Sequence, residues 1–266
     1  MQPYHFFIRE KTIDLGKEFK DVDIIPCIGG RQTPEQNRRR KRHTESTPAQ
    51  KNLNDERSKR YLMWLIKKNF SYGDLHITLS YDDAHIPNSK EAANREVKNF
   101  MRRVKYWLKK NGISVKNFKY VIITAVYSAD GEPARVHHHI LTSKIHDRDA
   151  IEDLWHCGAA NADRIRNFYN SINKLAGYVA KQTSGDKRWF ASKNLSKPKS
   201  YNVDGAYKPK EITRILEYHI FDPAFWEKQY KGWEILDRDR DIKVTFDIND
   251  RPYIRLQLHK KGATPS

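Results

Sequence analysis

The sequence predicts an α+β protein built on a split β-α-β antiparallel sheet with an added helix. Three observations predict it. Apolar and polar residues alternate strictly in Leu75-His-Ile-Thr-Leu-Ser-Tyr81 and again around Val136, His138 and Ile140, the period of half-buried strands. Between them, Val97, Phe100, Met101, Val104, Trp107 and Leu108 recur at three- and four-residue spacing, which is one face of a helix. Asp130-Gly131 separates two strand-like runs as a hairpin turn.

Taken in order, residues 1–45 read as a basic N-terminal extension. Its short apolar runs, Tyr4–Ile8 and Val22–Ile25, suit a small hairpin, and Arg38-Arg-Arg-Lys-Arg42 suits either a solvated linker or an arm on phosphates. Residues 46–200 read as the main domain, with its core at 75–182. Ser46-Thr-Pro48 starts a helix that runs to about Lys68. The strand Leu75–Tyr81 follows, with Leu75, Ile77, Leu79 and Tyr81 on one face and His76, Thr78, Ser80 and Asp82 on the other. The helix from Ser89 to Lys110 stops at Asn111-Gly112. Phe118–Tyr127 is a β-rich strand, and the strand after the turn carries His137-His-His139. A short helix from about Asp147 to His156, a strand near Ala160–Arg166 and a helix from Ser171 to about Gln182 complete the domain. This order is the ferredoxin-like or RRM-like one, in which the first and third strands are central neighbours. Residues 201–266 read as a C-terminal extension with helices at Glu211–Tyr218 and Phe225–Tyr230. A hairpin of Ile242–Phe246 and Tyr253–Leu258 ends it.

Charge narrows the partners. Fifty Lys and Arg against 33 Asp and Glu give a net charge of +17 in 266 residues, and such an excess favours polyanions, nucleic acid above all. No long amphipathic helix has a purely basic polar face, no apolar run is long enough to span a bilayer, and the N-terminal apolar run is too short for a signal peptide. No membrane partner is expected. Cys27 and Cys157 suggest no disulfide framework, which fits a reducing cytoplasm.

The histidine strand carries the chemistry. Alternation sends Val136, His138 and Ile140 to the core and leaves His137 and His139 on the other face, with Cβ atoms roughly 7 Å apart. Two imidazoles at that spacing can grip one divalent metal. Asp82 shares their face and is the expected third ligand, with Glu132, Asp83 and His76 behind it. On the later helix, Lys174, Tyr178 and Lys181 lie together, apart from the apolar stripe of Ile172, Leu175, Ala176 and Val179. Two lysines stabilise a neighbouring phenolate and attract phosphate.

These pieces resemble the HUH endonucleases, and among them the single-tyrosine initiators of rolling-circle replication in bacterial plasmids and phages. His76-Ile-Thr-Leu-Ser-Tyr-Asp-Asp83 looks like that family's first motif, Arg135-Val-His-His-His-Ile140 like its metal motif and Tyr178-Val-Ala-Lys181 like its nucleophile motif. The similarity extends more loosely over Lys187–Pro198. It implies site-specific nicking and joining of single-stranded DNA through a 5′-phosphotyrosine. Tyr178 would be nucleophile and Lys181 its helper, with Mg²⁺ or Mn²⁺ on His137 and His139. Arg135, Lys174, Lys187, Arg188 and Lys193 would contact DNA. The partners would be single-stranded or origin DNA, with host helicase and polymerase, in the cytoplasm of a bacterial host. The family usually has an apolar residue where His138 stands, and often an acidic ligand before the hairpin, where Ile122–Ser128 has none. Positions 174 and 182 are Lys and Gln, which fits one tyrosine rather than two; Tyr169 is a remote second.

Residues 181–214 hold nine Lys and Arg and three Asp and Glu, with Trp189, Phe190, Tyr201 and Tyr207 among them. That composition suits single-stranded DNA or a basic loop packed by its own rings. Three rival readings stand beside the resemblance. A relaxase or single-strand transposase would share the chemistry. A non-enzymatic RNA-binding module would need aromatic rings on the sheet face. A zinc site using His156 and Cys157 lacks paired-cysteine spacing.

Overall fold

The computed structural model describes residues 5–29, 48–127, 133–166, 189–247 and 249–262. The chain divides into two compact units, one of residues 46–197 and the other of residues 1–45 with 198–264. Both are mixed α and β with an antiparallel sheet, as the α+β reading expects.

In the first unit, helix α1 (Pro48–Asn69) precedes strand β3 (Leu75–Ser80), helix α2 (Lys90–Lys110) and strands β4 (Tyr120–Tyr127) and β5 (Pro133–Thr142). Helix α3 (Asp149–Glu152), β6 (Ala160–Arg164) and β7 (Trp189–Ala191) follow. The sheet order is β6-β3-β5-β4-β7, so the expected adjacency of the first and third strands of the domain is present. Burial along β3 alternates as the sequence does. Helix α2 begins where Ser89 Oγ accepts from the Ala92 N–H at 3.1 Å and ends at Asn111, whose N–H returns to Trp107 O, before Gly112 at φ +71°. Its buried positions Ala93, Val97, Phe100, Met101, Val104 and Leu108 meet Leu75, Ile77, Leu79, Ile122 and Ile140 in one core.

Helix α3 is shorter than the sequence predicts. Its last turn gives way at Leu154–Trp155 because the following residues bind the end of β3 instead. Trp155 Nε1 donates to Ser80 O (2.8 Å), the Asp82 N–H to Cys157 O (3.0 Å) and the Ser80 N–H to Ala159 O (2.9 Å). Gly158 makes this clasp possible. It adopts φ +144°, and a Cβ there would lie 2.5 Å from Asp82 N and from Ser80 O.

The second unit holds strands β1 (His5–Asp14), β2 (Phe19–Gly29), β8 (Lys199–Tyr207), β9 (Trp233–Glu234), β10 (Ile242–Phe246) and β11 (Pro252–Lys260). Its helices are α4 (Pro209–Tyr218), α5 (Pro223–Gln229) and α6 (Arg238–Asp241). The sheet order is β10-β11-β2-β1-β8, with β9 on β11. The hairpin expected near the N-terminus and the terminal hairpin are both present, and β11 pairs directly with β2. Ile8, Val22, Ile24 and Leu256 pack with Ile212 and the fully buried Trp226. Strand β8 falls in the stretch whose basic charge suggested a loop.

A candidate active site on the histidine strand

Residues opposite one another in an antiparallel ladder share a face. His137 lies opposite Ser80 and Ala125, and His139 opposite Thr78 and Ile123. His76, opposite Leu141, therefore stands on the same face, as does Trp189, which lies opposite Ile123 on β7. The three histidines cluster there. His76 Nε2 is 3.2 Å from His139 Nδ1, with rings stacked at 5.3 Å, and the His137 and His139 rings meet edge to face at 5.0 Å.

His138 points the other way and is completely buried. Its ring sits in a chain of hydrogen bonds whose direction is fixed. Thr124 Oγ1 donates to Asn94 Oδ1 (2.8 Å), so it accepts from His138 Nδ1 (3.0 Å), which leaves His138 Nε2 to accept from the Tyr81 hydroxyl (2.8 Å). Burial, with some repulsion from His137, pushes the His138 pKa down to about 3. Burial also raises the Tyr81 phenol. His138 is thus a neutral core residue, and the choice among the three histidines falls on His137 and His139.

The histidine face is not open along its whole length. His139 is only 5% exposed, and Val121, Ile123, Ala125 and Leu141 on the same face are buried as well. That burial, together with the neighbouring His76, His137 and His138, pushes the His139 pKa down to about 3 and keeps the ring neutral. His137 is half-buried. Its Nδ1 donates to Arg135 O at 2.8 Å, which fixes the tautomer and leaves Nε2 as the lone-pair nitrogen.

Two neutral imidazoles, one oriented by a backbone carbonyl, are the donor chemistry a divalent transition-series or magnesium-like cation accepts. Among the described residues no group of three or more His, Cys, Asp and Glu is arranged to hold a metal ion. The residues therefore fit a two-histidine grip. Asp82 follows β3 with its carboxylate engaged locally. Oδ1 accepts from the His85 N–H (3.0 Å) and from its Nδ1 (2.7 Å), and these bonds hold the carboxyl below its usual range. His76 stands closer to His139 than sequence reasoning ranked it. The signal was present in the alternation, which sets His76 on this face; its register against Leu141 was not.

Among the expected DNA contacts, Arg135 is exposed and pairs with Asp83 (Nη2–Oδ1 2.8 Å), and Lys193 is exposed just after β7. Tyr178, Lys181, Lys174, Lys187 and Arg188 lie outside the described residues, as do Glu132, Tyr169 and the basic run at 38–42. Cys157, the zinc alternative, packs against the core on the far side of the sheet from His137 and His139, with its thiol pushed up by burial.

Residues 74–184 match the family model of the Replication-associated protein ORF2 type. The matched stretch takes in β3 through β6, with His76, His137 and His139, and continues past positions 178 and 181. No curated protein and no solved structure matches the chain. A replication-associated role accords with the basic charge. No helix among the described residues is long and apolar enough to cross a membrane.

Proposed function

We propose that the protein initiates rolling-circle DNA replication by nicking and rejoining a single strand through a tyrosine. What supports this reading is one juxtaposition: two neutral histidines and a third beside them share one sheet face, inside the segment that matches the replication-associated model. His137 and His139 would hold Mg²⁺ or Mn²⁺, with Asp82 or the nearer His76 as a further donor. Such a cation polarises the scissile phosphate. Tyr178 loses its phenolic proton and its oxygen attacks phosphorus. The bond to the 3′-oxygen breaks, and that oxygen takes up a proton, leaving a 5′-phosphotyrosine and a free 3′-hydroxyl. Lys181 offsets the negative charge of the phenolate and phosphate. The phosphodiester linkage is conserved in the adduct, so an incoming 3′-hydroxyl reverses the step and joins strands. Arg135, Lys174, Lys187, Arg188 and Lys193 would hold the strand's phosphates.

The test is cleavage of single-stranded oligonucleotides tiled across the cognate replication origin, read as a covalent protein–DNA adduct in Mn²⁺. The adduct is expected to vanish with EDTA and with Tyr178→Phe. An adduct that persists in Tyr178→Phe refutes the nucleophile assignment, and an origin that yields no adduct refutes the nicking reading.

A further inference from the structure

Helix α2 carries eight Lys and Arg against two Glu. Its apolar stripe packs on the sheet, so the charge collects on its outer and lateral faces. Arg95, Lys98, Arg102 and Lys105 recur every three or four residues and form one row about 15 Å long at 1.5 Å per residue. That row is one wall of a groove of about 700 Å³ whose other wall is Tyr120 and Phe190 at the β4–β7 edge. Two cations are set over the rings: Lys98 Nζ lies 4.5 Å from the Phe190 ring centre and Lys105 Nζ 4.6 Å from that of Tyr120, 3.2 Å from its hydroxyl. Glu96 is the one carboxylate among the groove's lining residues. A second hollow, of about 680 Å³, adjoins the first at Asn99 and Arg102 and adds Arg103, Tyr106, Trp107 and Lys110. Tyr106 is 70% exposed there, and the buried Arg103 Nη2 has no hydrogen-bond partner among the described residues.

A row of four cations in a concave surface with rings in its wall has the charge of a receptor for an anionic polymer. An exposed tyrosine further along offers a plane on which a base can stack. Duplex DNA presents phosphates but keeps its bases from such rings, whereas a single strand presents both. We propose that the α2 grooves bind a single-stranded polynucleotide, on the side of the sheet opposite to His137 and His139. Phosphates would lie along Arg95, Lys98, Arg102 and Lys105, and a base would stack on Tyr106. This surface is separate from the histidine face, so the chain would hold two stretches of strand at once, one to be cut and one retained. The inference does not depend on cleavage.

The test is fluorescence anisotropy of a labelled oligo-dT with the full chain in EDTA, across a salt series. The triple variant Lys98→Gln/Arg102→Gln/Lys105→Gln is expected to bind about tenfold more weakly. The slope of log affinity against log salt should fall by about 2, from about 0.7 per lost phosphate contact. Tyr106→Ala is expected to lose about tenfold with its salt slope unchanged, and Lys98→Arg/Lys105→Arg to keep the parent's affinity. Parent-like affinity and slope in the triple variant overturn the proposal. So does a triple variant that loses duplex binding while keeping oligo-dT binding. Adduct yield at saturating origin strand should match the parent's in the triple variant. Its loss there, with oligo-dT affinity unchanged, would also overturn the proposal by moving these residues to the cutting site. A failure of the nicking reading shows separately, as no adduct in any protein while the binding differences remain.

Discussion

Three adjacent histidines have two different jobs because a strand gives neighbours opposite faces. His138 is held between Tyr81 and Thr124 in the core, so His138→Ala removes packing and strands two buried polar partners. That should lower unfolding free energy by about 3 kcal/mol in urea titrations. His137→Ala should change stability by less than about 1 kcal/mol and weaken Mn²⁺ binding by at least about tenfold, read by titration of the paramagnetic ion. Acid should act through the same strand. His138 and His139 both titrate far lower folded than unfolded, with folded values near 3. The folded state therefore binds fewer protons. Its stability is complete above the unfolded pKa of about 6.5 and falls as pH drops toward 3. Between about pH 6.5 and 5, where carboxylates hardly change, the metal-free protein should lose up to about 1.4 kcal/mol per pH unit per buried histidine. A flat urea midpoint over that interval would contradict the burial of both rings. The alternation that separates these roles is readable in Val136-His-His-His-Ile140. The Tyr81–His138–Thr124–Asn94 chain is not, since it joins residues from three strands and a helix that only the fold brings together.

Elements with a strong period were legible almost to the residue. Helix α2 and strand β3 announce themselves through alternating burial, and the cap at Ser89 and stop at Asn111-Gly112 mark the helix ends. Strand β8 is the counterexample. It runs Lys-Ser-Tyr-Asn-Val-Asp-Gly-Ala-Tyr, eight of its nine residues are exposed, and it is an edge strand held to β1 by backbone pairing. With neither face buried, nothing in its side chains records a period of two. The clasp after α3 was hidden for another reason: it is made by backbone carbonyls and one indole N–H, groups every sequence has. Its signature is Gly158. Gly158→Ala should cost about 2–3 kcal/mol through collision with the β3 backbone and a disallowed φ. Amide exchange at Ser80 and Asp82 should rise with it, and parent-like protection at those two amides would show that the clasp does not depend on the glycine.

At the scale of the whole molecule, the order of segments along the chain differs from their grouping in space. Residues 46–197 form one contiguous unit, set in sequence between the two parts of the other. In that other unit, β2 is bonded to β1 on one side and to β11 on the other. The arrangement is not visible from composition or periodicity, because a hairpin's pattern says which face is buried and not which distant strand lies beside it. A buried polar pair supports the late-made side: Asp241 Oδ2 accepts from the Leu236 and Asp237 N–H groups at 3.0 Å and lies 3.2 Å from His259 Nε2. Asp241→Ala should lower stability by about 3 kcal/mol.

The direct ladder between β2 and β11 also sets a timetable for synthesis. Strands β1 and β2 are made first, yet the partner of β2 arrives more than two hundred residues later, from Ile24 to Ile254. Throughout that interval an apolar strand edge waits unpaired on the ribosome, while the inserted unit already holds all its own strands. Translation arrested before residue 252 should therefore yield chains whose inserted unit resists protease and whose first two strands are cut or aggregate. Release of the full chain should protect both.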